Sequence, residues 1–238
     1  MRRFFSPIEN FRDRIVTLDA GETRHLRDVL RLRVGEEVSV FDGTGREFQC
    51  EIIEIEKNSS MLSVVAETSP TSPESTLDIT IAATVLNGEK YDLIIQKAVE
   101  LGVSILVPLS TIRCDVKPKD AEKRIERWRR IALEATKQCG RAKLMQIGEP
   151  VVFDKFIKTK KENLVLFSER DGNDFSTIAK GKKITALFGP KGGWDDSELD
   201  AARTSGANIV TLGGRILRAE TAAIAITAIL QHRFGDVK

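Results

Sequence analysis

Two rhythms of apolar and polar positions divide the chain. In the first, apolar runs are short: Arg14–Leu18 alternates, Val38–Phe41 runs into Asp42-Gly43-Thr44-Gly45, and Phe48–Ile55 and Leu62–Ala66 flank Lys57-Asn58-Ser59-Ser60. Short runs bounded by Gly, Asp and Asn predict strands joined by tight turns, with Asp42–Gly45 as a hairpin. Leucines near helical spacing predict one short helix over Glu22–Leu30. Several short strands with one helix predict a small β-barrel domain over residues 1–70.

The stretch Thr68–Thr76, TSPTSPEST, reads as a linker, with two prolines among Ser and Thr. After it the rhythm changes. Leu77–Leu86 is nearly continuous in apolar residues, as in a strand buried on both faces of a parallel sheet. Glu89–Leu101 follows as a helix, with Ile94, Ala98 and Leu101 on one face and Gly102 as its stop. Val103–Leu109 predicts a second strand. From Asp120 to Gln138 a helix is predicted, with Ile125, Trp128, Ala132 and Ala135 as its apolar stripe and Lys123, Arg124, Arg127 and Arg130 opposite. Strands at Leu164–Phe167, Ile184–Phe188 and Ile209–Leu212, and helices at Ser197–Ser205 and Glu220–Phe234, complete an α/β pattern over residues 74–238.

Composition adds limits. The longest apolar run, around Thr221–Leu230, falls well short of the roughly 20 residues of a membrane span. The N-terminal MRRFFSPIENF has positive charge but no following apolar stretch, so no secretory signal is expected. Three separated cysteines (Cys50, Cys114, Cys139) and two histidines (His25, His232) argue against a zinc site or a disulfide framework. A reducing cytoplasm is the natural compartment. The net charge of +2 conceals an uneven distribution. Residues 113–143 hold eleven Lys/Arg against five Asp/Glu, and residues 1–34 hold eight against five. Such clusters fit a polyanionic partner, and they equally fit a solvated helix face.

Two glycine-bearing loops follow predicted strands: Gly189-Pro190-Lys191-Gly192-Gly193 and Gly213-Gly214-Arg215-Ile216-Leu217-Arg218. Ligands of open parallel sheets bind at the carboxyl ends of strands, so the two loops can form opposite walls of one cleft. Tight turns alone would also use these residues. A phosphate loop is excluded by order: Lys191 precedes the glycine pair and Trp194 follows it, and no G-x-G-x-x-G is present.

LFGPKGGW and, further on, LGGRILRAETAAIA resemble the C-terminal signature of the ribosomal RNA small subunit methyltransferase E family, of the SPOUT class. MRRFF, HLRDVLRLRVGEEV and FDGTG resemble that family's N-terminal PUA-like barrel. GEKYDLIIQKAVELGVSILVPLSTIR and EATKQCGR resemble its central segments. The resemblance implies a PUA-like RNA-binding β-barrel over 1–70. It also implies a SPOUT α/β domain over 74–238, with a parallel sheet and a trefoil knot that forms an S-adenosylmethionine pocket. A homodimer is implied as well, while no metal and no membrane are expected from the composition above. The implied activity is methylation of one uridine at N3 in 16S ribosomal RNA of the small subunit. A SPOUT enzyme with another target atom, or a non-catalytic RNA-binding ribosome-assembly protein, remains open at this point.

Carried onto this chain, the resemblance puts Leu187, Gly189, Gly192 and Gly193 on one wall of the cofactor pocket. Leu212, Gly213, Ile216 and Leu217 form the other, with Leu86 nearby. Arg218 and Glu220 take the catalytic roles, a cation for the developing anion and a base. Arg2, Arg3, Arg24, His25, Arg27, Arg31, Arg113 and Arg141 are the implied RNA contacts. Three positions depart from the family pattern: Lys191 replaces a usual Glu, Ala219 a usual Thr, and Asn87 a usual basic residue. Lys191 reverses the charge beside the implied pocket.

Overall fold

The computed structural model describes residues 2–159 and 161–238. The chain forms two compact units. One comprises the residues up to Glu74 together with Thr136–Leu144. The other comprises Ser75–Ala135 and Met145–Lys238.

In the first unit the strands are β1 (Arg3–Phe5), β2 (Phe11–Arg12), β3 (Ile15–Leu18), β4 (Glu37–Phe41), β5 (Glu47–Ile55) and β6 (Ser60–Thr68). They lie in the order β1-β4-β5-β6-β3-β2, with only the β1–β4 pair parallel. Between β3 and β4 sits α1 (Ala20–Arg24), continued by a π-helical turn over His25–Val29. Asp19 starts this helix, accepting a 2.8 Å hydrogen bond from the Glu22 N–H. The β4–β5 hairpin is built on Asp42, whose Oδ1 accepts from Thr44 N and Thr44 Oγ1, each at 2.8 Å. Phe4, Val16, Leu18, Leu26, Val40, Ile52 and Leu62 are fully buried in one core. Cys50 belongs to that core, and burial pushes its thiol up to about 12, so it is a packing residue.

The second unit carries a seven-stranded, wholly parallel sheet. Its elements in chain order are β7 (Asp78–Thr84), α2 (Glu89–Glu100), β8 (Ile105–Ser110), α3 (Pro118–Glu122), α4 (Ile125–Cys139), β9 (Gln146–Ile147) and β10 (Val151–Val152). There follow α5 (Phe153–Ile157), β11 (Leu164–Phe167), β12 (Lys183–Phe188), α6 (Asp196–Thr204), β13 (Asn208–Val210) and α7 (Ala219–Phe234). The strand order is β10-β8-β7-β12-β11-β13, with β9 beside β8. This order decides where function can sit. β12 lies between β7 and β11, and β13 lies beyond β11, so the carboxyl ends of β11, β12 and β13 are neighbours. The chain then returns in α7, which packs on α2. Gln231 of α7 is fully buried, donating to Leu101 O at 2.8 Å and accepting from Ser75 Oγ at 2.8 Å.

The single helix expected over Asp120–Gln138 is two helices. Pro118 opens α3 at its first turn, where a missing N–H costs nothing, and α4 begins only at Ile125. Asp120 does not cap; it pairs with Lys123 at 3.1 Å. The apolar stripe of α4 is as expected. Trp128 is buried against Tyr91 of α2, ring centroids 4.8 Å apart.

Two implied RNA contacts are corrected here. Arg3 is buried, its Nε and Nη2 donating to the Glu47 carboxylate at 2.9 and 3.1 Å and its Nη1 and Nη2 to the carbonyls of Thr136 and Arg141. Its guanidinium also lies over the Phe41 ring at 4.2 Å. Arg141 is likewise buried and forks onto Glu74 at 3.1 and 2.6 Å. Both guanidinium groups hold the first unit together and neither reaches solvent. Burial pushes the Glu47 carboxyl up, but the hydrogen bonds from Arg3 and Ser39 outweigh it and leave it below its ordinary value.

Arg3→Ala strands the Glu47 carboxylate in the core. It is expected to cost about 3–5 kcal/mol in urea denaturation at neutral pH, and a loss below about 1 kcal/mol would contradict this account. The stability that Glu47 contributes is present above its ordinary pKa of 4.5 and is lost as pH falls through its lower folded value.

Candidate functional site

The loops after β11, β12 and β13 enclose a cleft of about 360 Å³ in the second unit, at the carboxyl edge of the sheet. Phe188, Gly189, Pro190, Lys191, Gly192, Gly193 and Trp194 line it from β12 and its loop. Thr211, Leu212, Gly213, Gly214, Arg215, Ile216 and Leu217 line it from the loop after β13. Phe167, Ser168 and Glu169 line it from the end of β11, and Ala219, Ala222 and Ile226 from α7. The loop pair expected from sequence does meet in one cleft. The third loop, Ser168–Asn173, carries no glycine pair, and its mixed-sign run Glu169-Arg170-Asp171 before Gly172 reads as an ordinary polar turn.

Trp194 fixes the arrangement. Its indole is buried, and Nε1 donates to Phe167 O at 2.8 Å, tying the glycine loop to the end of β11. Gly189 is glycine because of this indole: a Cβ there would lie 2.9 Å from Trp194 Nε1 and Cε2. Two guanidinium groups clamp the loop from outside. Arg113 donates to Gly192 O (3.2 Å) and Trp194 O (3.4 Å) and pairs with Asp195 at 3.0 Å. Arg170 donates to Trp194 O at 3.2 Å and to Asp196 Oδ1 at 2.7 Å. Arg113, expected among RNA contacts, is thus placed as a brace of the cleft.

The loop after β11 is tied in turn to the strand beyond it. Ser168 N donates to Val210 O, Gly172 N to Thr211 Oγ1, and Thr211 N to Asn173 O, each at 3.0 Å. The α6 helix that follows the glycine loop starts with a capping box. Asp195 accepts from the Ser197 N–H and Glu198 accepts from the Asp195 N–H at 3.0 Å. The buried Glu198 also accepts from Ile112 N at 2.9 Å. The helix start therefore has its acids without residue 191. Lys191 is exposed on the cleft wall and has no ion-pair partner among the described residues.

Two implied cofactor residues do not line the cleft. Leu187 is fully buried in the sheet core, because β12 alternates and turns its neighbour Phe188 toward the loops. Leu86 is buried beyond β7, whose carboxyl end lies on the far side of β12 from β11. Gly189, Gly192, Gly193, Leu212, Gly213, Ile216 and Leu217 do line it, with Ile216 85% exposed and Leu212 39% exposed. Flexible glycine backbone, apolar side chains open to solvent and few charges suit a flat, partly apolar ligand. Backbone N–H and C=O groups can read its polar edge.

Arg218 stands next to this wall, exposed at the N-cap of α7 and without an ion pair among the described residues. Glu220 sits in the first turn of α7 and pairs with Lys90 at 3.3 Å. Burial pushes its carboxyl up, but its own backbone N–H and the Lys90 ammonium outweigh this and hold it below its ordinary value. A carboxylate so stabilised is a weaker base.

In the first unit, Arg24 and Arg31 are exposed with no ion pair among the described residues. Arg2 pairs with Glu36 and Arg27 with Asp28, each at 2.7 Å. His25 is half-buried, edge-on to Phe4 at 5.8 Å. On α4, Arg127 pairs with Asp92 and Arg129 with Glu126, while Arg130, and Arg124 just before the helix, have no ion pair among the described residues. Among those residues no group of three or more His, Cys, Asp or Glu is placed to hold a metal. No helix there is long and apolar enough to cross a membrane.

The family matches give the class, an RNA methyltransferase with a PUA domain. The RNA methyltransferase domain family matches residues 73–231, and the PUA domain of RNA methyltransferases matches residues 18–64. The chain belongs to the ribosomal RNA small subunit methyltransferase E family. The Aquifex aeolicus member is 31% identical over 98% of this chain and 100% of its own length. The Synechocystis member is 33% identical over 87% of this chain and 69% of its own. The crystal structure of the Neisseria gonorrhoeae enzyme, bound to S-adenosyl methionine, superposes with a TM-score of 0.91 at 32% identity, covering all of both chains.

The Trp194 contact generates a direct test. Gly189→Ala drives a methyl group into the indole and is expected to lower stability by about 1–3 kcal/mol, measured by denaturation followed through tryptophan fluorescence. Unchanged stability would show that the indole does not hold the loop.

Proposed function

We propose that this protein is an S-adenosylmethionine-dependent methyltransferase that modifies a uridine at N3 in the 16S ribosomal RNA of the small subunit. The observation that carries the reading is the cleft at the ends of β11, β12 and β13, in a chain similar over its whole length to an S-adenosyl methionine-bound relative. The residues fit that cofactor: a ligand without phosphates needs no phosphate loop, and an adenine ring needs apolar walls with backbone donors and acceptors. Leu212, Ile216 and Leu217 supply the walls, and the glycine loops supply the backbone groups.

When bound, the cofactor supplies an electrophilic methyl group. The chain must supply the rest. On taking up that methyl group, uridine N3 would release its proton to solvent, and the cofactor would be left as S-adenosylhomocysteine. The N3 anion spreads its charge onto the flanking carbonyl oxygens, and a fixed cation there lowers the barrier. Arg218, exposed next to the cleft wall and with no salt bridge among the described residues, takes this role. Glu220, held ionised beside Lys90, orients the first turn of α7.

The first unit docks RNA through Arg24 and Arg31, with Arg2, Arg27 and His25 beside them, and Arg124, just before α4, and Arg130 on it add basic contacts. Such guanidinium groups read backbone and shape more than sequence. A trefoil knot through the cleft loops, a homodimer and a cytoplasmic site of action, where small subunits are made, belong to the same proposal.

Small subunits lacking the modification, incubated with the protein and S-adenosylmethionine, should yield N3-methyluridine by mass-spectrometric nucleoside analysis. A different methylated nucleoside would mean another target atom, and none would mean a non-catalytic protein. Arg218→Ala should reduce transfer by about 10²–10³-fold while cofactor binding stays within about twofold; near-wild-type turnover would remove Arg218 from the mechanism. Binding to the subunit should weaken steeply from low to high salt, and a flat response would contradict a phosphate-dominated interface.

A further inference from the structure

We propose that Glu169 binds the α-ammonium group of the cofactor, an assignment that rests on the S-adenosylmethionine reading above. Three ionisable side chains line the cleft, Glu169, Lys191 and Arg215, and Glu169 is the sole carboxylate among them. The cofactor carries two positive charges, on its sulfur and on its amino group, so the cleft has one anion to meet them.

The place of this carboxylate is set by Gly193. At φ +71° that residue is in the left-handed region, and a Cβ on it would lie 2.5 Å from Glu169 Oε1. The carboxylate is thus packed against the glycine loop, with its side chain 36% exposed. Its nearest cation is a poor partner. Arg170 Nε is 3.8 Å from Oε1, while the same guanidinium makes close bonds to Asp196 and Trp194 O. No hydrogen-bond donor reaches Glu169 among the described residues, so both of its oxygens are available to a ligand.

Chemistry selects between the two cationic groups. Methyl transfer discharges the sulfonium, so a carboxylate against the sulfur would stabilise the ground state more than the transition state and slow the reaction. The ammonium keeps its charge from start to finish. A carboxylate there tightens binding equally throughout and leaves the chemical step untouched.

Calorimetric titration of wild type, Glu169→Gln and Glu169→Asp with three probes tests this. The probes are S-adenosylmethionine, S-adenosylhomocysteine, which lacks the sulfonium charge, and 5′-methylthioadenosine, which lacks the amino-acid group altogether. Glu169→Gln should weaken the first two in parallel, by about tenfold, as expected for loss of one charge-assisted bond. Methylthioadenosine should bind within about twofold of wild type, which also shows the cleft to be intact. Glu169→Asp should fall between. Equal weakening of all three probes, unchanged binding of S-adenosylmethionine, or weakening of S-adenosylmethionine alone would each overturn the assignment. Wild-type protein that binds none of the probes overturns the cofactor reading itself, whereas wild-type binding with an unresponsive Glu169→Gln overturns this assignment alone.

Discussion

The cleft depends on one buried hydrogen bond, from the Trp194 indole to the carbonyl of Phe167. Burying an indole without a partner for its N–H is costly, and here that need joins two loops that are far apart in sequence. The indole in turn requires glycine at 189, and the carbonyl of Trp194 itself accepts from both Arg113 and Arg170. A chain of local necessities thus converts a flexible, glycine-rich stretch into a fixed wall. The glycines give close approach, while the tryptophan and two arginines remove the freedom that glycine would otherwise bring.

Arginine divides into two populations. Arg3 and Arg141 are buried and forked onto Glu47 and Glu74, where geometry and several acceptors offset the desolvation of the charge. Arg24, Arg31, Arg124, Arg130 and Arg218 have no ion pair among the described residues. An unpaired guanidinium keeps its field available for phosphate or for an anion that develops during reaction. Net charge hides this division, because a buried and an exposed arginine count alike in a sum of +2.

Legibility followed the physics. The strand Leu164–Phe167 ends in sequence where it ends in space, since an apolar run buried on both faces has sharp polar limits. The hairpin at Asp42 and the stripe of α4 were equally plain, because Asp-Gly turns and a 3.6 period leave local marks. The two glycine loops and their shared cleft could be read too, because loops after consecutive parallel strands share one edge of the sheet. Three features could not be read. The break between α3 and α4 falls at Lys123-Arg124, where no proline or glycine marks it. Arg3 and Arg141 became structural only through Glu47 and Glu74, partners 44 and 67 positions away. The strand order that brings the end of β11 beside those of β12 and β13 is not written in any local pattern, so Glu169 had no signal. The charge reversal at Lys191 was visible at once, and the structure removes helix capping from its possible roles, since Asp195 and Glu198 already perform it.

The central claim is that three loops from β11, β12 and β13 form a single cofactor cleft. Hydrogen–deuterium exchange with and without S-adenosylmethionine tests it most directly. Joint protection of residues 167–172, 189–194 and 211–217 on addition of the cofactor is the predicted result. Protection of only one of these segments, or protection confined to the first unit, would contradict the account.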